Sequence, residues 1–373
     1  MKQVFVLGLL LAIGAQGAKR AREWGVPFEG EPGHYNAITD VPGVEVGSVT
    51  LNLEKPGPEG KTIYVHTGVT SIFPTGKKTD MGVPAAWFSL NGNGELTGTA
   101  WVEESGFLEG PLVFTNTHSV GVARDAVVAW GVKRFPKSEK FSLPVVGETW
   151  DGDLNDINGF HVTKKDVLKA LDSAKSGPVA EGNVGGGTGM ILYEYKGGTG
   201  TASRKVGDRH VGVLVQANYG QRQDMRLAGV SVGNELLKDH RLRPDKKDGS
   251  VLIAIATDAP FLPHQLKRLV RRASLALGRL GSASRNSSGD LFIAFTTARP
   301  KLFGKIEHWT AIPNERIDDY FLATIEATEE AIANVLFAGK TMEGPKGVVE
   351  EMPVDRVLGI LKKFGRLNDS GSR

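Results

Sequence analysis

Two serines stand where a hydroxyl could become a nucleophile, and each would need a different partner. Ser250 follows Gly249 at the point where the charged and polar stretch of residues 238–248 gives way to Val251-Leu252-Ile253-Ala254-Ile255-Ala256. A hydroxyl is a weak nucleophile until a base takes its proton, and one arrangement uses the residue's own α-amine once that residue has become a chain terminus. Such an amine has an unperturbed pKa of about 7.7–8.0, close to working pH. The chemistry therefore requires a cut between Gly249 and Ser250. Glycine at 249 suits it by tolerating strained backbone and by leaving its carbonyl open to the Ser250 hydroxyl. Read without context, the same dipeptide at a strand entrance is a plain turn.

Ser231 offers the other solution. Gly229-Val230-Ser231-Val232-Gly233 matches the GxSxG elbow of α/β-hydrolases, with Asp258 and then His264 or His308 following in the required order. That reading needs a buried strand before the serine and a helix after it, and Asn234-Glu235-Leu236-Leu237 runs into the charged stretch too soon to support the helix. The glycine-rich GNVGGGTGM, residues 182–190, fits neither the dinucleotide spacing nor the P-loop, which needs a lysine after its last glycine. It reads instead as a close-packed loop beside a substrate cleft. Eight histidines without a HExxH pair or other ligand spacing give no metal site, and no cofactor is expected.

These residues must be carried by sheets and helices whose outlines are visible. Short apolar runs at 44–49, 64–72, 111–115 and 210–217, separated by Gly, Asn and Pro, mark a strand-rich body over residues 36–235. After residue 249 the order is strand, helix, strand, helix. Leu266, Leu269, Val270, Ala273, Leu277 and Leu280 form one helical stripe, with Lys267, Arg268, Arg271 and Arg272 read as its solvated face. Residues 318–338 form the second helix and 291–297 the strand between. The expectation is sheet layers covered by helices.

Composition narrows the function. A net charge of +3, from 45 basic and 42 acidic residues, is too small to argue for nucleic acid or an anionic membrane. The chain has no cysteine, which removes disulfides, thiol nucleophiles and Cys-ligated metals. Its 48 glycines in 373 residues imply many tight turns and close backbone approaches. MKQVFVLGLLLAIGAQG at the start reads as a signal peptide over residues 1–17, too short to span a membrane, so the mature chain is expected to be exported.

Several long motifs, in order, carry a resemblance: ITDVPGVEVGSVT, GNVGGGTGM, GTASR, VGVLVQANYG, ATDAPFLPHQLKRLVRRA and SSGDLFIAFTTA. Together they resemble the DmpA family, the L-aminopeptidase/D-esterases and β-aminopeptidases of peptidase family S58, from about residue 35 to 340. The resemblance implies a precursor that cuts itself between Gly249 and Ser250 into an α chain (18–249) and a β chain (250–373) of one catalytic domain. It further implies an αββα sandwich similar to N-terminal nucleophile hydrolases, and an oligomer of αβ units. Ser250 then matches the nucleophile, Ser288 the hydroxyl that contacts it, Asp290 the acid behind, and Asn218 the amide that donates to the oxyanion. Glu148 in GETWDG matches a carboxylate suited to the substrate's free ammonium, and the bland reading of it is a surface carboxylate. Trp150 stands where some relatives carry tyrosine; an indole can stack on substrate but cannot accept a hydrogen bond. The substrate implied is a small peptide, amide or ester. Two alternatives remain, an esterase built on Ser231 and an exported binding protein of the same fold without turnover.

Overall fold

The computed structural model describes residues 19–78, 81–136, 142–237, 249–303 and 305–368. The leader read at 1–17 and the polar stretch at 238–248 lie outside them. In chain order the main strands are β1 (Glu45–Pro56), β2 (Thr62–Phe73), β3 (Val83–Gly92), β4 (Phe107–Leu108), β5 (Leu112–Asn116), β6 (Val145–Thr149), β7 (Gly198–Val206), β8 (Arg209–Asn218), β9 (Ser250–Thr257) and β10 (Gly289–Thr296). They form a four-stranded sheet in the order β1-β2-β5-β6 and a six-stranded sheet in the order β4-β3-β10-β9-β8-β7. β5–β6 and β9–β10 pair in parallel and the other neighbours run antiparallel.

Alternation along β9 explains why its sequence is apolar throughout. Val251, Ile253 and Ile255 enter one core, while Leu252, Ala254 and Ala256 enter another. The second core lies between the sheets, where the β9 residues share a cluster with Ile72, Leu112, Phe114 and Val145 of the smaller sheet. A strand buried on both faces has no polar side to show. Beyond the larger sheet lie α3 (Pro263–Val270), α4 (Ala273–Arg279) and α5 (Asp318–Ala338). Beyond the smaller sheet lie α1 (Val120–Arg134) and α2 (Lys164–Ser173), which bury Ala123, Val127, Val167 and Leu171 against Val69, Val113 and Val146. The layers are therefore αββα, the architecture expected.

Three details depart from the sequence reading. The single helix expected over the stripe 266–280 is two, because Arg272, Ser274 and Leu275 donate to the carbonyls three residues back and tighten the chain at Arg271–Arg272. The basic residues there are not simply solvated: the Arg272 guanidinium lies 3.9 Å from the Phe321 ring centroid. Helices α1, α2 and Val354–Lys363 were not foreseen. Packing begins almost at the first described residues, with Ala21 fully buried and Arg22 paired with Glu330 of α5 at 2.7 Å.

Candidate active site

The ends of three adjacent strands bring two of the expected residues, Asn218 and Ser250, to one rung of the larger sheet, and Ser288 and Asp290 flank its third member. Asn218, last in β8, pairs with Ser250, first in β9, and Ser250 pairs with Gly289, first in β10. All three lie at the same sheet edge because β8 runs opposite to β9 and β10. Ser250 and Asn218 are each 5 % exposed. By alternation Ser250 shares the inter-sheet face with Leu252, while Asp290 lies with Val251 and Phe292 on the helix face.

Gly249 is fixed for a reason other than the one expected. Its backbone is not in the left-handed region, but an added Cβ would lie 1.5 Å from the Asn218 carbonyl oxygen, so no other side chain fits without displacing the rung. The Gly249 carbonyl accepts a hydrogen bond from Gly289 N–H at 3.1 Å. The bond that would be cut therefore already carries a backbone donor on its carbonyl. Gly289 is itself constrained, since a Cβ there would lie 2.3 Å from the Asn93 carbonyl oxygen.

Ser288 immediately precedes β10 and Asp290 lies within it, and Ser288 Oγ donates to Asp290 Oδ1 at 2.7 Å. Both are buried. The β10–β3 register slips between Asp290 and Leu291, an irregularity of the kind that re-aims side chains near sites. The pair sits beside the Ser250 main chain on the helix side.

The smaller sheet contributes from the facing layer. Glu148, on β6, is 5 % exposed, which overturns the reading of a surface carboxylate. Its Oε1 accepts from Glu95 N–H at 3.0 Å and its Oε2 from the Thr117 hydroxyl. Burial raises its carboxyl above the usual range, against the opposing pull of those two donors. Trp150 follows two residues on. The residue is 42 % exposed and its ring stands edge-on to His118 at 5.7 Å, and His118 stacks on Phe160 at 5.9 Å. The Trp150 main chain has a second use, since its carbonyl accepts from Asn218 Nδ2 at 2.9 Å, while Asn218 Oδ1 accepts from Ile191 N–H at 2.8 Å.

Sequence reasoning missed Thr117, His118, Phe160 and the Ile191 and Gly289 N–H groups. The last two are backbone donors that no side-chain pattern reveals. The glycine loop of residues 182–190 is close-packed: Cβ atoms on Gly186, Gly187 and Gly189 would lie 2.1 Å from Gln216 Oε1, 2.3 Å from Thr199 N and 2.3 Å from the His66 carbonyl oxygen. It leads directly into Ile191, and so to Asn218.

The Ser231 constellation is not assembled. Ser231 opens the six-residue helix Val232–Leu237 and follows an isolated bridge between Leu227 and Val230, not a strand. Its hydroxyl accepts from Asn234 Nδ2 at 3.0 Å. Asp258 instead accepts from His210 N–H at 2.7 Å, and His264 and His308 are exposed. Among the described residues no group of three or more His, Asp or Glu could hold a metal ion.

A serine hydroxyl, an anchored amide donor and a buried carboxylate gathered near one rung suit acyl transfer from a substrate with a free amine. Comparison with known proteins agrees. The peptidase family S58 profile matches residues 36–350. The β-peptidyl aminopeptidase BapA of Sphingosinicella microcystinivorans is 48% identical over 388 aligned positions, spanning 97% of each chain. The L-aminopeptidase D-Ala-esterase/amidase of Ochrobactrum anthropi superposes with a TM-score of 0.88 at 45% identity, over 94% of this chain and 99% of that one. That structure is described as a prototype for the serine aminopeptidases and a new variant among the Ntn hydrolase fold. A Burkholderia sp. β-aminopeptidase superposes with a TM-score of 0.85 at 44% identity, over 95% of this chain and 99% of that one.

Proposed function

The chain belongs to peptidase family S58 and is a serine aminopeptidase of the N-terminal nucleophile type; from that premise we propose that it is an exported precursor that cuts itself between Gly249 and Ser250. The mature enzyme then releases N-terminal residues from small peptides, amides or esters through an acyl-enzyme on Ser250. The observation that carries this reading is the rung Asn218–Ser250–Gly289, with Gly289 N–H donating to the Gly249 carbonyl.

In the first step the Ser250 hydroxyl adds to the Gly249 carbonyl carbon, the Ser250 nitrogen leaves as an amine, and water hydrolyses the resulting ester. The freed α-amine, at about pKa 7.7–8.0 when unperturbed, then serves as base for the same hydroxyl. In each turnover it takes the Oγ proton as Oγ attacks the substrate carbonyl, and returns it to the leaving amine. Asn218 Nδ2–H donates to the oxyanion. The Ser288–Asp290 pair lies on the side of the Ser250 main chain and holds the new ammonium when it carries the proton. Water then releases the acyl residue. Export rests on the leader read in the sequence at residues 1–17. Assembly into an oligomer of αβ units belongs to the same reading. The β-peptidyl specificity named for the 48%-identical relative favours N-terminal β-amino acids among the substrates.

Glu148 would read the substrate's ammonium, forming a charge-assisted hydrogen bond about twice as strong as a neutral one. An N-acetylated substrate leaves that buried carboxylate without its partner, which costs more than the bond. Glu148→Gln is therefore expected to process normally yet lose most of its preference for free over acetylated amino-acid anilides, read as the ratio of kcat/KM. An unchanged ratio would move the role to another acid. The pH profile gives an independent check. Ammonium binding needs ionised Glu148, so kcat/KM falls as pH drops through its raised pKa, in addition to the fall from protonating the Ser250 amine. The acid side should drop with a slope of two in wild type and of one in Glu148→Gln.

A further inference from the structure

Lys196 is fully buried, at the end of the short hairpin formed by Ile191–Leu192 and Tyr195–Lys196. Its Nζ donates to the Met190 and Gly197 carbonyls, each at 2.9 Å. A buried ammonium is costly, and an aliphatic side chain would fill the same volume without that cost. Its charge reaches its surroundings: burial chiefly, with a smaller contribution from Lys196, holds the His66 imidazole below its usual pKa.

The position of the Met190 carbonyl gives the charge a direction. It belongs to the same peptide group as Ile191 N–H, the donor that holds Asn218 Oδ1 at 2.8 Å. The amide of Asn218 then spends one Nδ2 hydrogen on the Trp150 carbonyl and keeps one for an oxyanion. The groups form one line: ammonium, Met190–Ile191 peptide, Asn218 amide, oxyanion. Withdrawing electron density at the Met190 oxygen makes Ile191 N–H a better donor, and a stronger bond at Asn218 Oδ1 makes its Nδ2–H more acidic. Chains of hydrogen bonds polarise one another by roughly 10–30% per bond.

We propose that Lys196 is a positioning residue for the oxyanion donor, orienting and polarising Asn218 through the Met190–Ile191 peptide. The inference rests on the reading of Asn218 as that donor, and the test separates the two. Lys196→Met, Lys196→Gln, Asn218→Ala and the double variant Lys196→Met with Asn218→Ala are assayed on an amino-acid anilide, with rates normalised to the fraction of chain processed. Lys196→Met should lower kcat about tenfold and move KM less than twofold. Lys196→Gln, which keeps a donor but no charge, should fall between it and wild type. Neither charge nor donor at 196 matters once the relay has lost its end, so the double variant should be no slower than Asn218→Ala. If Asn218→Ala leaves kcat unchanged, the reading of Asn218 is wrong and the relay falls with it. If Asn218→Ala is slow but the Lys196→Met loss multiplies onto it, or appears only in KM, Asn218 keeps its role and the relay is overturned. Failure of both Lys196 variants to fold, judged by thermal unfolding, would make Lys196 a structural residue and equally overturn it.

Discussion

Ser250→Ala is expected to leave the chain uncut between residues 249 and 250 and without aminopeptidase activity. The two losses have one cause. The hydroxyl that would open the Gly249 carbonyl is the one that would later carry the acyl group, and the α-amine that would serve as its base exists only after the cut. The surroundings should survive the change, because Ser250 is held by main-chain pairing to Asn218 and Gly289 and its neighbours Val251 and Leu252 are fully buried. Ser231→Ala should be processed and active, since the Ser231 hydroxyl is committed to Asn234. Mass spectrometry and an anilide assay on the two purified variants check both statements. An active Ser250→Ala protein would remove the nucleophile from the account.

Asn218→Ala is the second large effect. A single oxyanion donor is typically worth 10²–10³ in kcat, about 2.7–4 kcal/mol, because it acts on charge that develops only in the transition state. The loss should therefore appear in kcat with KM nearly unchanged. The variant should also be less stable by about 1–3 kcal/mol, since Ile191 N–H loses its acceptor inside the protein. Asn218→Asp sharpens the point. It keeps the shape and the acceptor for Ile191, but it sets an oxygen against the Trp150 carbonyl in place of a donor and buries a charge, so it should not regain the lost stability, and with negative charge where the oxyanion forms it should be as slow or slower. Steady-state kinetics on processed protein and thermal unfolding read the two effects separately. A loss confined to KM would assign Asn218 to substrate binding.

Much of this site was legible because the sequence announces strands whose ends matter. The β9 run is apolar on both faces, so it could only be an interior strand, and its first residue could only lie at a sheet edge. The SxD spacing at the start of β10 brings the Ser288 hydroxyl onto the Asp290 carboxylate. Other parts were hidden for physical reasons. Helix α1 carries VGVARDAVVAWGVKR, whose glycines and valines surround the helix without a single stripe, so its periodicity does not separate it from a strand-rich context. The break between α3 and α4 comes from local i to i+3 bonding and guanidinium packing on Phe321, which a helical stripe does not encode. The need for glycine at 249 was misread as conformational freedom. It is a collision with the Asn218 carbonyl, a contact between residues 31 positions apart that only the β8–β9 pairing creates. The hold on Glu148 by Thr117 likewise arises from β5 and β6 lying side by side, and that by Glu95 from the bridge between Leu96 and Gly147.

Catalysis by a free amine at Ser250 is tested most directly by the mass and N-terminal sequence of active enzyme. Protein purified without protease inhibitors, and shown to hydrolyse an amino-acid anilide, should separate under denaturing conditions into two chains. The smaller should be the 124 residues from Ser250 to Arg373 and should begin Ser-Val-Leu-Ile. The recovered activity should scale with the fraction of chain cut. A preparation with full activity and a single chain running unbroken through Gly249 and Ser250 would contradict it.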